Sequence, residues 1–189
     1  RAAPESTRDF GAENWLDRRA KAETYDDHAP AVIVVGGGQA GLSIAARLHQ
    51  LDIDTLIVDR HARVGDNWRT RYHSLTLHNE VYVNHLPYMP FPPTFPVYIP
   101  KDMLANWFEY YVGAMELNYW TGTALVGGRY DEANRRWTVK LRRADGSERM
   151  MHPSHFVFAT GVSSSPYTPD LPGLGDFAGV TVHSGEFRN

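Results

Sequence analysis

The feature that most constrains the fold is a glycine-rich turn that directly follows a short apolar run. Residues 29–43 have the sequence APAVIVVGGGQAGLS. The branched side chains of 31–35 predict a strand buried on both faces, since such residues fill a covered parallel sheet and leave no polar alternation. Gly36, Gly38 and Gly41 then match the pattern G-x-G-x-x-G. Such a turn brings bare backbone close to a bound group.

The segments after the glycines complete a strand–helix–strand unit. Residues 39–50 are rich in Ala and Leu and predict a helix whose first N–H groups face whatever lies over the turn. The stretch IDTLIVDR predicts a second apolar strand ending at Asp59, about 20 residues beyond the glycines, where an acid binds ribose hydroxyls. The unit predicts a site for NAD or FAD, because Asp59 would repel a 2′-phosphate. A glycine-rich turn in an ordinary α/β domain is the alternative.

Composition excludes several other classes of function. The 189 residues carry a formal net charge of -3 and no cysteine. A net charge of this sign and size does not indicate binding to nucleic acid or to an anionic membrane. No run of apolar residues approaches the roughly 20 that span a bilayer. Without cysteine or an H-x-x-x-H spacing, no metal site is predicted. We expect a cytoplasmic protein that binds a small molecule, with neither nucleic-acid nor membrane partners.

The chain divides into a polar start, a folded region and a crossover. Residues 1–28 are charged and predict a linker or N-terminal extension with one helix at 14–23. Residues 29–162 predict the nucleotide-binding domain, in which a Pro- and aromatic-rich excursion, a helix and a β-meander follow the first unit. HFVFATG predicts a last buried strand, and residues 163–189 predict a crossover. The helix has an apolar stripe of Met103, Leu104, Trp107, Phe108, Tyr111 and Met115.

Three motifs give the chain a resemblance to a known family. The first motif is the glycine turn with Asp59, which occurs in a very large superfamily. The second is the ATG of residues 159–161, which ends a predicted strand. Residues 177–187, FAGVTVHSGEF, fit the pattern F-x-G-x-x-x-H-x-x-x-(Y/F). Over about residues 30–187 the chain resembles the N-terminal part of the FAD-binding domain of flavin-containing monooxygenases, the class B flavoprotein group that includes the plant YUCCA enzymes.

The resemblance implies a Rossmann-like, three-layer α/β FAD-binding domain, with a parallel sheet, helices and an antiparallel β-meander. It implies an oxidoreductase that uses FAD and NADPH to transfer one oxygen atom of O2, through a C4a-(hydro)peroxyflavin, to a small nucleophilic N, S or carbonyl substrate. The sequence contains no second G-x-G-x-x-G for NADPH. We therefore expect a fragment, truncated before the NADPH-binding domain and inactive by itself.

The resemblance also implies roles for individual residues around FAD. The glycine turn would hold the pyrophosphate and Asp59 the adenosine ribose, with Arg60 and Leu125 at the adenine. Thr160 and Gly161 would let the backbone pass close to the cofactor. The full expected cofactor-binding set is Gly36, Gly38, Gln39, Ala40, Gly41, Asp59, Arg60, Gly65, Trp68, Leu125, Thr160 and Gly161.

Two segments near the expected flavin depart from the family's pattern. Gly65 and Trp68 match a GG-x-W segment, but Asp66 replaces its second glycine. Many members place an Asn beside the flavin C4a position, whereas His78 takes that place here, as in the YUCCA branch, and Asn79 follows it. Either side chain can donate a hydrogen bond to a flavin-bound peroxide in a site that excludes water. His78 and Asn79 are therefore the candidate catalytic residues, with a structural role as the alternative for His78.

Two other classes of function stay open at this point. A flavin-dependent pyridine-nucleotide reductase shares the first unit and the ATG strand, but it commonly carries a redox cysteine pair, which this sequence lacks. A non-catalytic FAD- or NAD-binding module would use the same nucleotide site without oxygen transfer. His183 lies within the C-terminal pattern, and we expect it to have a structural, interdomain role.

Overall fold

The computed structural model describes residues 13–162 and 166–189. Part of the predicted linker, residues 1–12, and part of the predicted crossover, residues 163–165, lie outside the described residues. The helices are α1 (Trp15–Ala22), α2 (Gln39–Gln50), α3 (Asp66–Arg69) and α4 (Lys101–Ala114). The strands are β1 (Val32–Val35), β2 (Thr55–Val58), β3 (Asn118–Trp120), β4 (Thr123–Asp131), β5 (Arg136–Arg143), β6 (Glu148–Met151) and β7 (His155–Phe158).

A four-stranded parallel sheet, in the order β3-β2-β1-β7, forms the centre of the fold. Every residue of β1 and β2 is buried, as their branched apolar sequences predict. Helix α2 connects these two parallel strands with the bounds that the sequence predicts. The predicted strand–helix–strand unit is therefore confirmed.

The two faces of this sheet are covered by different layers. On one face, Val34 belongs to a core cluster with Leu42 of α2 and Phe108 of α4. On the other face, Ile33 belongs to a second cluster with Leu141 of β5. Helices, parallel sheet and antiparallel sheet thus form the three layers of a Rossmann-like α/β fold, which confirms the predicted fold class.

Helix α4 buries most of its predicted apolar stripe. Leu104, Phe108 and Tyr111 are buried, and Trp107 packs against their cluster. Met103 is instead 37% exposed. The helix therefore completes the core on the α2 side of the sheet.

The antiparallel sheet has the order β4-β5-β6 and is the predicted meander. Its turns are closed by aspartates at the expected places. Asp131 accepts hydrogen bonds from the backbone of Ala133 and Asn134, and Asp145 accepts one from Ser147. Such Asx turns stabilise a chain reversal locally, which is why the DEAN and DGS stretches predict it.

The last predicted strand, β7, has a different environment from the one that its sequence predicts. It pairs with β1 and forms one edge of the described sheet. Phe158 is 67% exposed, so the expectation of a buried strand is wrong for this residue. An apolar run indicates a strand but not its place in the strand order.

The polar segment before β1 contributes to the core. Its predicted helix is α1, and Asn14 caps the helix by accepting a hydrogen bond from the Asp17 N–H at 3.0 Å. Tyr25 is only 2% exposed, and its hydroxyl donates to Asp54 Oδ1 at 2.8 Å. A linker does not predict such a buried tyrosine. No helix within 13–162 or 166–189 is long and apolar enough to cross a membrane.

Candidate functional site

The glycine turn after β1 leaves no space for side chains at Gly36 and Gly41. Gly36 has a φ of +104°, and a Cβ there would overlap the carbonyl oxygen of Ala159. A Cβ on Gly41 would overlap the carbonyl oxygen of Gly36. The Gly36 contact also brings Ala159 and Thr160 of the ATG motif against the turn. Two motifs that are more than a hundred residues apart in the sequence therefore meet at one place.

Gly37 is a third glycine with a steric requirement, and sequence reasoning did not single it out. A Cβ there would overlap the hydroxyl of Tyr119, which lies on β3. Burial raises the pKa of Tyr119, and the nearby carboxylates of Asp59 and Asp66 raise it further. The hydroxyl therefore keeps its proton at neutral pH. The signal in the sequence was a glycine at a position where the pattern requires none.

Helix α2 offers a site for an anion. It begins at Gln39 after Gly38, and no side chain caps its N-terminus. The first N–H groups of a helix have no partner within the helix, and the helix dipole favours a negative charge there. A Cβ on Gly38 would lie 3.3 Å from Asn67 Nδ2, so a side-chain donor lies beside the same turn. Gln39 is half-buried and Ala40 is exposed.

Asp59 lies directly after β2, and its carboxylate accepts three hydrogen bonds. Gly37 N–H donates to Oδ2 at 2.7 Å. The N–H and the Nδ1 of His61 lie 2.8 and 2.7 Å from Oδ1. The side chain of Asp59 is 11% exposed. The predicted acid is thus fixed beside the glycine turn, with His61 as a partner that sequence reasoning missed because no motif marks it.

The two residues predicted at the adenine lie on segments that adjoin Asp59. Arg60 follows it directly and is exposed. Thr123 N–H donates to the Asp59 carbonyl at 2.8 Å, which joins the start of β4 to this loop. Leu125 is two residues further along β4 and packs against the second core cluster. Gly161, at the other end of the site, is exposed with a φ of +75°.

The segment of Gly65 and Trp68 packs tightly on α4. Gly65 has a φ of +88°, and a Cβ there would lie 2.5 Å from the carbonyl oxygen of Ala105. The buried Lys101 donates from Nζ to the Arg69 carbonyl at 3.0 Å, which ties the end of α3 to α4. Trp68 Nε1 is buried without a hydrogen-bond partner among the described residues. An unpaired buried donor is costly, and Trp107 Nε1 is a second one among the described residues.

The two predicted catalytic residues differ in their surroundings. His78 is exposed, whereas Asn79 is half-buried and donates from Nδ2 to Asn84 Oδ1 at 3.1 Å. Asn84 is 6% exposed and donates to the Glu80 carbonyl at 2.8 Å. Its own carbonyl accepts a hydrogen bond from Gln39 Nε2 at 3.2 Å. Asn84, which no sequence pattern indicated, therefore connects the loop of Asn79 to the first residue of α2.

The C-terminal pattern forms a local turn. His183 Nδ1 accepts a hydrogen bond from Gly185 N–H at 3.0 Å, and its Nε2 lies 3.2 Å from the Tyr167 carbonyl oxygen. A carbonyl only accepts, so Nε2 carries the hydrogen. Phe187 packs against Tyr72, with ring centroids 6.1 Å apart. Within the described residues, both ring nitrogens of His183 thus make local contacts with the backbone, and its interdomain role stays a prediction.

Together, these elements suit a dinucleotide better than a metal ion. The site offers helix N–H groups for a phosphate and a fixed carboxylate for hydroxyl groups. In residues 13–162 and 166–189, no cluster of three or more His, Asp or Glu side chains could hold a metal.

Comparisons with known proteins agree with this geometry. The family model described as NAD(P)-binding Rossmann-like domain matches residues 34–93. Indole-3-pyruvate monooxygenase YUCCA1 of Oryza sativa subsp. japonica is 31% identical over 175 residues, which cover 92% of this chain and 42% of that protein. The probable indole-3-pyruvate monooxygenase YUCCA4 of Arabidopsis thaliana is 31% identical over 170 residues, which cover 89% and 40%.

A solved structure gives the same result for the fold. The flavin-containing monooxygenase from Stenotrophomonas maltophilia superposes with a TM-score of 0.72 at 26% identity, over 85% of this chain and 47% of that one. The chain thus spans less than half the length of each of these proteins. Over most of its own length, the chain is similar to flavin-containing monooxygenases that include YUCCA enzymes.

Proposed function

We propose that the chain supplies the adenosine-binding part of a FAD- and NADPH-dependent monooxygenase that oxygenates a small nucleophilic N, S or carbonyl substrate with O2. The observation that carries this proposal is the glycine turn, which lies against the ATG motif and beside the fixed carboxylate of Asp59. The similarity to monooxygenases supports the class of reaction.

The residues present fit the adenosine diphosphate part of FAD. Bare backbone at the turn and the uncapped N-terminus of α2 suit the pyrophosphate. Oδ2 of Asp59 accepts a single described hydrogen bond, from Gly37, so a lone pair is left for a ribose hydroxyl. FAD, when bound, supplies the electron transfer and the reaction with O2.

The chain's own residues bind and orient groups in this proposal. The first N–H groups of α2 bind the pyrophosphate, and Asp59 orients the ribose. Asn84 fixes the amide of Asn79, which keeps its second Nδ2 hydrogen for another acceptor. We assign to Asn79, with His78 beside it, a hydrogen-bond donor role at the flavin end of the site.

A non-catalytic FAD-binding module is the second candidate function. It is favoured by the exposure of His78, because a catalytic donor works best when it is preorganised and shielded from water. The two candidates share the nucleotide site and differ in oxygen transfer alone. Oxidation of NADPH by the complete protein, coupled to a product heavier by one oxygen atom, would support the monooxygenase. FAD binding by the complete protein without any NADPH oxidation would support the module.

The cofactor site is tested by titrating the chain with FAD and recording the flavin absorption spectrum. We expect saturable binding, competition by ADP, and an affinity about tenfold lower for Asp59→Asn, since a charge-assisted hydrogen bond is lost. Glu132→Gln is the matched control, because it removes one carboxylate charge from an exposed turn of the meander. A folded chain that binds neither FAD nor ADP would contradict the proposal.

A further inference from the structure

His61 makes two hydrogen bonds to one oxygen of Asp59. Its backbone N–H and its ring Nδ1 lie 2.8 and 2.7 Å from Asp59 Oδ1. A carboxylate oxygen only accepts, so Nδ1 carries the hydrogen. Hydrogen bonds to an ionised group are roughly twice as strong as neutral ones. The imidazole therefore adds a third hydrogen bond to the two backbone bonds that restrict the rotation of the carboxylate.

This arrangement leaves one oxygen of Asp59 available to a ligand. Both lone pairs of Oδ1 are engaged by His61. Oδ2 accepts from Gly37 N–H at 2.7 Å, which leaves one lone pair on the side of the glycine turn. A ligand hydroxyl that approaches over the turn therefore meets Oδ2 rather than Oδ1.

The backbone of His61 and Asp59 is itself anchored by the protein. The carbonyl oxygen of His61 accepts a hydrogen bond from Gly122 N–H at 2.7 Å, immediately before β4. The same loop is bound again where Thr123 N–H donates to the Asp59 carbonyl at 2.8 Å. The side chain of His61 is 29% exposed and that of Asp59 is 11% exposed. Two backbone hydrogen bonds thus keep the pair in place before any ligand binds.

We infer that His61 is a positioning residue, which orients Asp59 so that Oδ2 accepts a hydrogen bond from an adenosine ribose hydroxyl. This inference rests on the proposed function, and it assigns to His61 a contribution to binding that acts through Asp59. Without the imidazole, only the backbone N–H groups of Gly37 and of residue 61 hold the carboxylate. Its rotation is then less restricted, and part of the binding free energy is spent on ordering it. Affinity falls for ligands that carry the ribose hydroxyls, while ligands without them are unaffected.

The experiment measures the affinities of ADP and of 2′,3′-dideoxy-ADP for the chain by calorimetry. For His61→Ala we expect ADP to bind about tenfold more weakly, because binding must then order a less restricted carboxylate, and dideoxy-ADP to bind unchanged. His61→Asn should restore most of the ADP affinity, because Asn Nδ2 can donate to Oδ1 as Nδ1 does. Circular dichroism checks that each variant folds, and His61→Leu replaces His61→Ala if the alanine variant does not.

Equal losses for both ligands would overturn the inference, since His61 would then support the turn as a whole. Unchanged ADP affinity in His61→Ala would overturn it as well, while the proposed function would survive. A folded wild-type chain that binds neither ligand would instead remove the proposed nucleotide site, and this inference with it. Selective loss of ADP affinity, with recovery in His61→Asn, supports it.

Discussion

The β1–α2–β2 unit and residues 166–189 both carry motifs on which the resemblance to one family rests, yet the first is buried and the second is largely exposed. Every residue of β1 and β2 is buried, and backbone contacts surround the glycine turn. In residues 166–189, His183 alone is half-buried and the others are exposed. Their contacts with the preceding chain include Phe187 against Tyr72, and a hydrogen bond of 2.8 Å from His73 N–H to the Arg188 carbonyl.

The difference shows that a sequence motif is not a measure of structural constraint. Two glycines of the glycine motif, Gly36 and Gly41, are required by the described fold itself, because a Cβ at either position would overlap backbone atoms. The C-terminal motif stabilises a local turn, and the described core does not depend on it. Substitutions in the two motifs should therefore have very different effects on stability.

The largest effect is expected from Gly41→Ala. The new Cβ would overlap the Gly36 carbonyl oxygen, and the backbone would have to move. The free energy of unfolding should therefore fall by about 3 kcal/mol or more. Gly113→Ala is the matched control in α4, since a Cβ there has no neighbour within 4 Å. It should stabilise the chain by up to about 1 kcal/mol. Urea unfolding of both variants measures this, and similar effects would break the comparison.

The next largest effect is expected at Tyr25, which sharpens the comparison. This residue lies in the polar segment before β1, yet its side chain is buried in the core. Its hydroxyl donates to Asp54 and accepts from Asn118 Nδ2 at 2.6 Å. Tyr25→Phe leaves these groups without their partner and should cost about 1–2 kcal/mol at neutral pH, measured by urea unfolding. Tyr130→Phe, on the exposed end of β4, is the control and should change little. A loss of unfolding free energy no larger than in this control would show that the segment contributes as little to the core as a linker does.

Tyr25 also predicts how stability depends on pH. Burial raises the pKa of its phenol in the folded chain, and the Asp54 carboxylate raises it further. The unfolded chain then loses this proton first, so the contribution is complete below about pH 10 and is lost as pH rises above it. In Tyr25→Phe, the free energy of unfolding should therefore fall less steeply with rising pH, by about 1.4 kcal/mol per pH unit. An unchanged slope in alkaline urea titrations would contradict the assignment.

An intermediate case is the ion-pair network that joins the loop before α3, and the last residue of α3, to helix α4. Glu109 accepts from Arg63 at 2.7 Å and from Arg69 at 3.1 Å. The Arg63 guanidinium lowers the pKa of Glu109, so its contribution is present at neutral pH and is lost as pH falls through the acid range. Glu109→Gln should cost about 0.5–1 kcal/mol in low salt and less in high salt. A cost that does not depend on salt would contradict this origin.

The smallest effect on stability is expected from Phe187→Ala. The side chain is 43% exposed and the core does not contain it, so unfolding should change by less than about 0.5 kcal/mol. Its local effect should be visible, because the His73 amide would lose protection from hydrogen exchange when the Arg188 carbonyl moves away. A global loss as large as that of Tyr25→Phe would break the comparison between the two motifs.

Local sequence patterns predicted the elements that local interactions determine. The bounds of α2, the meander turns at Asp131 and Asp145, and the position of Asp59 all follow from periodicity, turn chemistry or spacing. The exposure of Phe158 could not be predicted, because it depends on the order of strands in the sheet.

The missed residues of the candidate site depend on distant contacts. Asn84 meets Gln39 across a separation of 45 residues, and Tyr119 meets Gly37 through the pairing of β3 with β2. His61 is close to Asp59 in sequence, yet its role depends on how the following loop is bound to Gly122. The roles assigned to individual cofactor-binding and catalytic residues stay predictions.

The contact between Gly37 and the Tyr119 hydroxyl has an evolutionary consequence. A side chain at 37 is accepted when residue 119 is short enough to vacate that space. Position 119 can therefore change first or together with position 37, but position 37 cannot change first. Random mutation of position 37 alone should yield almost no folded variants, whereas a library that varies both positions should recover pairs with a small residue at each. Sequences that diverge from this chain must therefore cross this step by shortening residue 119 first.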